Sequence, residues 1–243
     1  MRILAIAALL PLAACGAMAQ GDSGEGAAAS GSGTTRSFAV GDFSKVELRG
    51  ADDVVVTVGP AFAVRAEGPS KELEKLRITR DGGTLRIGRE NSMNFNWGGS
   101  DNESVKVYVS MPRMEAASVA GSGDMTVDRV AGGDFAAAVA GSGDLSIGAL
   151  QAASAKLAIA GSGGILAKGA AQSLDMSIAG SGDIDAGGLK ASRAKVSIAG
   201  SGNAVADIAG PAEVSIMGSG SAQLGAGAKC TIDKKGAGEA RCG

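Results

Sequence analysis

The pentapeptide Ala120-Gly121-Ser122-Gly123-Asp124 decides the fold, because it returns along the chain at a regular interval. The further copies begin at Ala140, Ala160, Ala179 and Ala199, and altered copies begin at Met217 and Lys235. The first glycine of one copy lies 18 to 20 residues from the first glycine of the next. An internal period of this length is typical of stacked repeats, each of which buries its apolar side chains against its neighbours.

Apolar residues alternate with small or polar residues on both sides of each turn. In the first copy they stand at Ala117 and Val119 before the turn, and at Met125 and Val127 after it. A period of two indicates β-strands, and a repeat of this length leaves no room for the helix of a βαβ crossover. The sequence therefore predicts an all-β parallel β-helix with coils of about 18–20 residues, in which each strand pairs with its equivalent in the next coil.

The turn residues are predicted to form the corners of the coils. Glycine permits the positive φ that a tight corner requires, and an Asp or Asn after it can bond to nearby backbone. The predicted corner residues are Gly121, Gly123, Asp124, Gly141, Gly143, Asp144, Gly161, Gly163, Gly180, Gly182, Asp183, Gly200, Gly202, Asn203, Gly218 and Gly220. Calcium binding by the recurring aspartates is the alternative, but one carboxylate per coil and the interruption at Gly164 favour turn capping.

The composition narrows the classes of function. Glycine occupies 40 positions, aromatic residues make up 3%, and histidine is absent. The absence of histidine excludes His-based triads and His-ligated metals, and a formal net charge of −2 gives no electrostatic footprint for nucleic acid. No nucleotide-binding fingerprint occurs either. We therefore expect no cofactor, no metal, no nucleic acid partner and no catalytic residue.

The N-terminal residues predict export. An apolar run follows Arg2, and two processing signals compete. Ala17-Met18-Ala19 fits ordinary cleavage of a signal peptide at 1–19, whereas the residues around Cys15 resemble a lipobox, which would make 1–14 a lipoprotein signal and Cys15 an acylated anchor. Residues 16–35, rich in Gly, Ser and Ala, are predicted to be a flexible linker. The expected location is the periplasm or the outer membrane and cell surface.

Residues 36–243 are predicted to form a single β-helix domain, with irregular, looped coils over 36–115 and regular coils over 116–243. Gly50 to Asp53 stand where Gly-Ser-Gly-Asp stands in the later repeats. The charged stretch 71–80 is interpreted as a solvated face. Phe95 and Trp97 in the polar loop 90–103 are a candidate contact surface, or else they tuck against an open side of the helix.

Cysteine counting predicts one disulfide. Three thiols in an exported protein leave one unpaired, and Cys15 is removed by acylation or by cleavage. Cys230 and Cys242 then remain, and an oxidising envelope would join them. The alternative is two unpaired buried thiols.

The repeated turns, the segment Val54-Val55-Val56-Thr57-Val58-Gly59-Pro60 and the terminal cysteines together resemble the putative auto-transporter adhesin head domain family, also called the GIN domain or DUF2807. The resemblance implies an exported bacterial envelope protein with a right-handed parallel β-helix, and it brings no catalytic residues. We expect a non-enzymatic, adhesin-like or scaffolding protein that presents a binding surface to an envelope or extracellular protein or glycan. A carbohydrate-active β-helix enzyme, a lyase or hydrolase, is the alternative.

Overall fold

The computed structural model describes residues 26–89 and 104–243. The predicted signal sequence, Cys15, Phe95 and Trp97 lie outside these ranges. The described ranges contain one short helix, α1 (Ser70–Lys75), and 19 strands. The strands are β1 (Ala29–Ser30), β2 (Thr35–Phe38), β3 (Lys45–Gly50), β4 (Asp53–Val58), β5 (Ala63–Glu67), β6 (Leu76–Asp81), β7 (Thr84–Arg89), β8 (Lys106–Met111), β9 (Ala116–Gly121), β10 (Met125–Ala131), β11 (Asp134–Gly141), β12 (Asp144–Gly161), β13 (Gly164–Gly180), β14 (Asp183–Gly200), β15 (Asn203–Ile208), β16 (Pro211–Gly218), β17 (Ser221–Gln223), β18 (Lys229–Lys235) and β19 (Glu239–Arg241).

Strands β9 to β19 form the regular part of a parallel β-helix. Each strand pairs in parallel with its equivalent one coil later, so that Ala140 lies beside Ala160 and Ala160 beside Ala179. Strands β12, β13 and β14 each run through most of a coil without interruption. The predicted fold class is therefore confirmed, and the repeat of the sequence is the repeat of the coil.

The interior is built from rows of apolar side chains in register. Val119, Val139, Ile159 and Ile178 form one such row, and each is at most 3% exposed. Another row starts at the buried ring of Phe135 and continues with Ala155 and Leu174, so that a large ring stacks on a methyl group. Rows of this kind pack to the density of protein interiors only where large and small residues are matched. The narrow coil thus accounts for the small share of aromatic residues.

The first coils do not stack in the order of the sequence. Strand β3 pairs in parallel with β7 on one side and β9 on the other, and β4 lies between β8 and β10 in the same way. The chain therefore leaves the helix after β4, builds the coil of β7 and β8 beyond it, and returns at β9. Arg89, at the end of β7, and Val105, just before β8, lie in the coil next to Gly50, and residues 90–103 between them in the sequence lie outside the described ranges.

Antiparallel strands close this N-terminal end. Strand β5 pairs antiparallel with β8, β2 with β5, β1 with β2, and β6 with β7. Within the predicted irregular coils of 36–115, β3, β4, β7 and β8 stack in parallel as coils do, whereas β2, β5 and β6 pair antiparallel and depart from the prediction. A parallel edge exposes unpaired backbone groups, and antiparallel pairing covers that edge without another full coil.

Two sequence-based assignments are corrected at this end. The linker prediction is wrong for residues 26–35, because β1 pairs with β2 and the Ala27 amide donates to the Ile78 carbonyl at 2.7 Å. The stretch 71–80 is not simply a solvated face, because Leu73, Leu76 and Ile78 are buried. The charged residues of this stretch alternate with apolar ones, and the apolar side chains of α1 and β6 cover the end of the core.

The last coil lies at the opposite end and carries the predicted disulfide. Cys230 and Cys242 are bonded, and Cys230 stacks on Ala212 of the preceding coil. Ile232 occupies a core-facing position above Val214 but is 44% exposed, because no further coil covers it. The covalent link holds together a coil that has one neighbour instead of two.

Candidate functional site

The corner glycines of the described coils stack in a single column. Gly50, Gly121, Gly141, Gly161, Gly180, Gly200, Gly218 and Gly236 all have φ between 118° and 138°. A Cβ at Gly141 would overlap the carbonyl oxygen of Gly121 in the coil before it. The corner thus requires glycine twice, for its left-handed backbone and for the close approach of neighbouring coils.

Hydrogen bonds between coils use the groups that the corner exposes. The Gly121 carbonyl accepts from the amides of Ser142 and Gly143, at 2.9 and 3.1 Å. The Asp144 carboxylate accepts a hydrogen bond from the Gly164 amide at 2.7 Å. In the same way Asp124 accepts from the Asp144 amide, and Asp183 accepts from the Asn203 amide. Each aspartate therefore caps the backbone of the next coil. The described residues include no group of three or more potential ligands arranged to hold a metal ion.

The strands that precede the corners present a flat outer face. Its outward side chains are small and at least partly exposed. They are Ser118, Ala120, Ala138, Ala140, Ala158, Ala160, Ser177, Ala179, Ser197, Ala199 and Ser215, with Met217 at the end of the row. Beside them Lys156, Asp175, Lys195 and Glu213 stack with alternating sign, and Lys195 lies 3.4 Å from Glu213. Opposite charges across strands support the pairing register. This face carries no charged cleft.

The N-terminal end contains a buried cluster of charges. Arg89 donates through Nε to Asp52 Oδ2 at 2.9 Å, and its terminal nitrogens donate to Asp52 and to Glu72. Lys75 donates to Glu72 at 2.8 Å. The hydrogen bond from Lys75 and the charge of Arg89 lower the pKa of Glu72 against the opposing effect of its burial. Asp52 raises the pKa of Arg89, which stays charged. The cluster ties helix α1 to the first corner.

Asp52 also fixes both sides of the loop 90–103. Its carboxylate accepts from Arg89, the last described residue before the loop, and from the amide of Val105, just after it, at 3.0 Å. Asp52 is fully buried and occupies the corner position that Gly123 occupies one coil later. The Asp52 side chain points toward the coil of β7 and β8. At Gly123, by contrast, a side chain would collide with the backbone carbonyl of the neighbouring coil. At this corner the Asp52 carboxylate, bound to Arg89 and Val105, thus stands where the regular corners have a glycine.

A shallow groove of about 410 Å³ crosses the outer surface of β2, β5, β8 and β4. The Arg65 guanidinium lies 5.0 Å from the centre of the Tyr108 ring, on adjacent strands. Ser37, Thr57 and Ser110 add hydroxyl groups to the lining. An aromatic ring, a cation and several hydroxyl groups therefore converge on one patch, at the same end of the molecule as the loop 90–103.

Sequence reasoning did not single out this groove. Tyr108 is the one tyrosine of the chain, which is a weak signal, and it meets Arg65 only because β5 pairs antiparallel with β8. The pairing follows from the excursion of the chain after β4, which no repeat in the sequence marks. The predicted corner residues, by contrast, lie at the corners and do not converge on a pocket.

The fold and these surfaces define a class of protein: a parallel β-helix that is capped at one end by antiparallel strands and held at the other by a disulfide. The sequence profile of the family described as putative auto-transporter adhesin, head GIN domain, matches residues 42–228. That match covers more than half of the chain, and the protein belongs to this family.

Solved structures show the same fold. A putative adhesin from Bacteroides fragilis is 21% identical, with a TM-score of 0.78 over 88% of this chain and 98% of that one. A putative lipid binding protein from Parabacteroides distasonis is 20% identical, with a TM-score of 0.67 over 88% and 98%. A putative adhesin from Parabacteroides merdae is 18% identical, with a TM-score of 0.64 over 87% and 95%. At these identities the likeness shows the fold alone. The sequence matches no functionally curated protein.

Two further observations bear on location. The disulfide is consistent with export to an oxidising compartment, as the adhesin family suggests. Within the described residues, no helix is long and apolar enough to cross a membrane.

Proposed function

We propose that this protein is a non-enzymatic, exported envelope protein that binds a glycan through the groove at its N-terminal end. The observation that carries the proposal is the convergence of Tyr108, Arg65 and three hydroxyl side chains on one outer patch. Aromatic rings that combine an apolar face with a polar edge suit binding surfaces, and hydroxyl groups both donate and accept hydrogen bonds. Such a set of groups is complementary to sugar rings and their hydroxyl groups.

The distribution of side chains along the molecule supports this location. The regular coils offer a face of alanine and serine, and their corner aspartates Asp124, Asp144 and Asp183 are engaged in capping. The irregular end carries the groove and the base of the loop 90–103. The regular coils then act as a rigid support for the binding end. The proposed contact role of Phe95 and Trp97 stays a prediction.

No observation favours the alternative of a carbohydrate-active enzyme. The buried charged residues of the described ranges, Asp52 and Glu72, are bound to Arg89 and Lys75 and do not face the groove. A glycosidase needs two carboxyl groups on either side of the scissile bond, and none of the groove-lining residues is acidic.

A glycan array with a turnover assay tests the proposal. The wild-type protein should retain a defined glycan and release no reducing ends or unsaturated products from it. Tyr108→Ala should lose the binding while keeping the wild-type melting temperature within a few degrees, and Ser197→Ala on the regular face serves as the matched control. Retention of the glycan by Tyr108→Ala would contradict the proposed site, and release of products would establish an enzyme.

A further inference from the structure

A second cavity lies at the same end of the molecule, on the core side of the sheet. Its volume is about 370 Å³, and strands β1, β2 and β6 surround it together with helix α1. Phe38, Leu73, Leu76 and Ile78 give it an apolar lining and are themselves buried. The volume falls within the range of small-molecule sites. The antiparallel cap therefore closes the core incompletely.

Arg36 brings a charge into this apolar space. Arg36 and Phe38 lie on the same, core-facing side of β2. In the adjacent strand β5, Arg36 lies opposite Ala66, whose side chain is fully buried. Its side chain is only 25% exposed, and its Nε is buried without a hydrogen-bond partner. The distance from Nη2 to the Glu74 carboxylate is 4.0 Å, which is too long for a hydrogen bond. A buried N–H group of a guanidinium without a partner is costly, so the protein holds Arg36 beside this cavity at a cost in stability.

We propose that this cavity binds a single-chain amphiphile with a carboxylate head, of the fatty acid class. The guanidinium group of Arg36 lines the cavity, and through its terminal nitrogens it can donate charge-assisted hydrogen bonds to a carboxylate. The four apolar side chains then enclose the hydrocarbon chain. Arg77 and Glu74 also line the cavity. The site is separate from glycan binding in the outer groove and does not depend on it.

Calorimetric titration of the full mature chain with sodium laurate tests the proposal. We expect saturable binding with one laurate per protein and a higher melting temperature in the presence of laurate. Acetate, which carries the carboxylate without the hydrocarbon chain, and inorganic phosphate, which is a different anion, should not bind. Dodecyltrimethylammonium, which carries the chain with a positive head, should bind at least about tenfold more weakly, because the charge-assisted hydrogen bonds are lost.

Three variants separate the site from non-specific uptake. Arg36→Gln should weaken laurate binding by about tenfold or more, whereas Arg241→Gln, an exposed arginine in the last coil, should bind as the wild type does. Ala27→Phe should block binding by filling the cavity while Arg36 is kept, and it decides the matter if Arg36→Gln does not fold.

Three results would overturn the proposal. The first is that laurate shows no saturable binding. The second is that wild type and Ala27→Phe bind laurate equally. The third is that phosphate or the cationic amphiphile binds tightly.

Discussion

Glycine at the corners is the residue-scale basis of the fold. The repeat was visible in the sequence because each corner requires the same residue type, and a positive φ together with contact between coils leaves no substitute. The role of the aspartates was predictable only in part. Their bonding to backbone follows from their position after a turn, but the acceptor–donor pairs join successive coils, and only the register reveals this.

A Gly141→Val substitution should destabilise the protein severely. The new side chain meets the Gly121 carbonyl and is forced into a left-handed backbone conformation that β-branched residues avoid. We expect a loss on the order of 4 kcal/mol in the free energy of unfolding, measured by chemical denaturation. Ala138→Val, which adds the same side chain to the outer face of the same strand, should change it by less than about 0.5 kcal/mol. Equal effects of the two substitutions would contradict the corner assignment.

Removal of one capping carboxylate should have a moderate effect. Asp144→Ala removes the carboxylate that accepts the Gly164 amide at an exposed corner, and we expect a loss of about 0.5–1.5 kcal/mol in a denaturation experiment. Ser142→Ala at the same corner changes an exposed hydroxyl group and should be close to neutral. A melting temperature that rises with millimolar calcium in the wild type but not in Asp144→Ala would instead assign these carboxylates to metal binding.

At the scale of elements, the two ends of the helix are closed by different means. Helix α1 and the antiparallel strands cover the N-terminal end, where an ion cluster joins them to the first corner. The disulfide closes the C-terminal end. The disulfide could be predicted from the cysteine count because only two cysteines remain once Cys15 is set aside, and two cysteines allow a single pairing. The N-terminal cap could not, because β2 pairs with β5, and β5 with β8, across more than 20 residues of intervening chain.

Loss of the disulfide should loosen the last coil alone. The bridge spans 12 residues of sequence, and by the chain-entropy account a loop of that size contributes about 3 kcal/mol. In the Cys230→Ser/Cys242→Ser double variant, amide exchange should accelerate in β18 and β19 and stay slow in β12 and β13. Uniform acceleration throughout the molecule would show that the last coil unfolds only with the whole.

Acid should weaken the attachment of helix α1. The pKa of Glu72 is lowered in the folded protein, chiefly by Lys75 and then by Arg89. Its contribution to stability is therefore fully present above its unfolded pKa of about 4.3 and is lost as the pH falls through the lower folded value. Glu72→Gln should lower the melting temperature at pH 7 and reduce its decline below about pH 4. Glu213→Gln, in an exposed pair with Lys195, should keep the wild-type pH dependence; a Glu72→Gln variant that also keeps it would contradict the role of this cluster.

At the scale of the whole molecule, the chain divides into regular coils and an irregular N-terminal end that carries the proposed binding groove. The repeat predicts the support coil by coil, since identical positions in the sequence become neighbours in space. The irregular end depends on the coil of β7 and β8. This coil follows β4 in the sequence but lies on the far side of β3 and β4 from β9 and β10, and such an arrangement leaves no periodic signal in the sequence. Tyr108 and Arg65 meet only through it.

Site-specific photocrosslinking in the native envelope tests the central claim most directly. A photoreactive amino acid replaces either Ser110 in the groove or Ser177 on the regular outer face, and the crosslinked glycan is detected as a mass shift of the protein. The account predicts a crosslink from position 110 and none from position 177. Crosslinking from position 177 at an equal or greater yield would show that the regular coils, and not the N-terminal end, bind the partner.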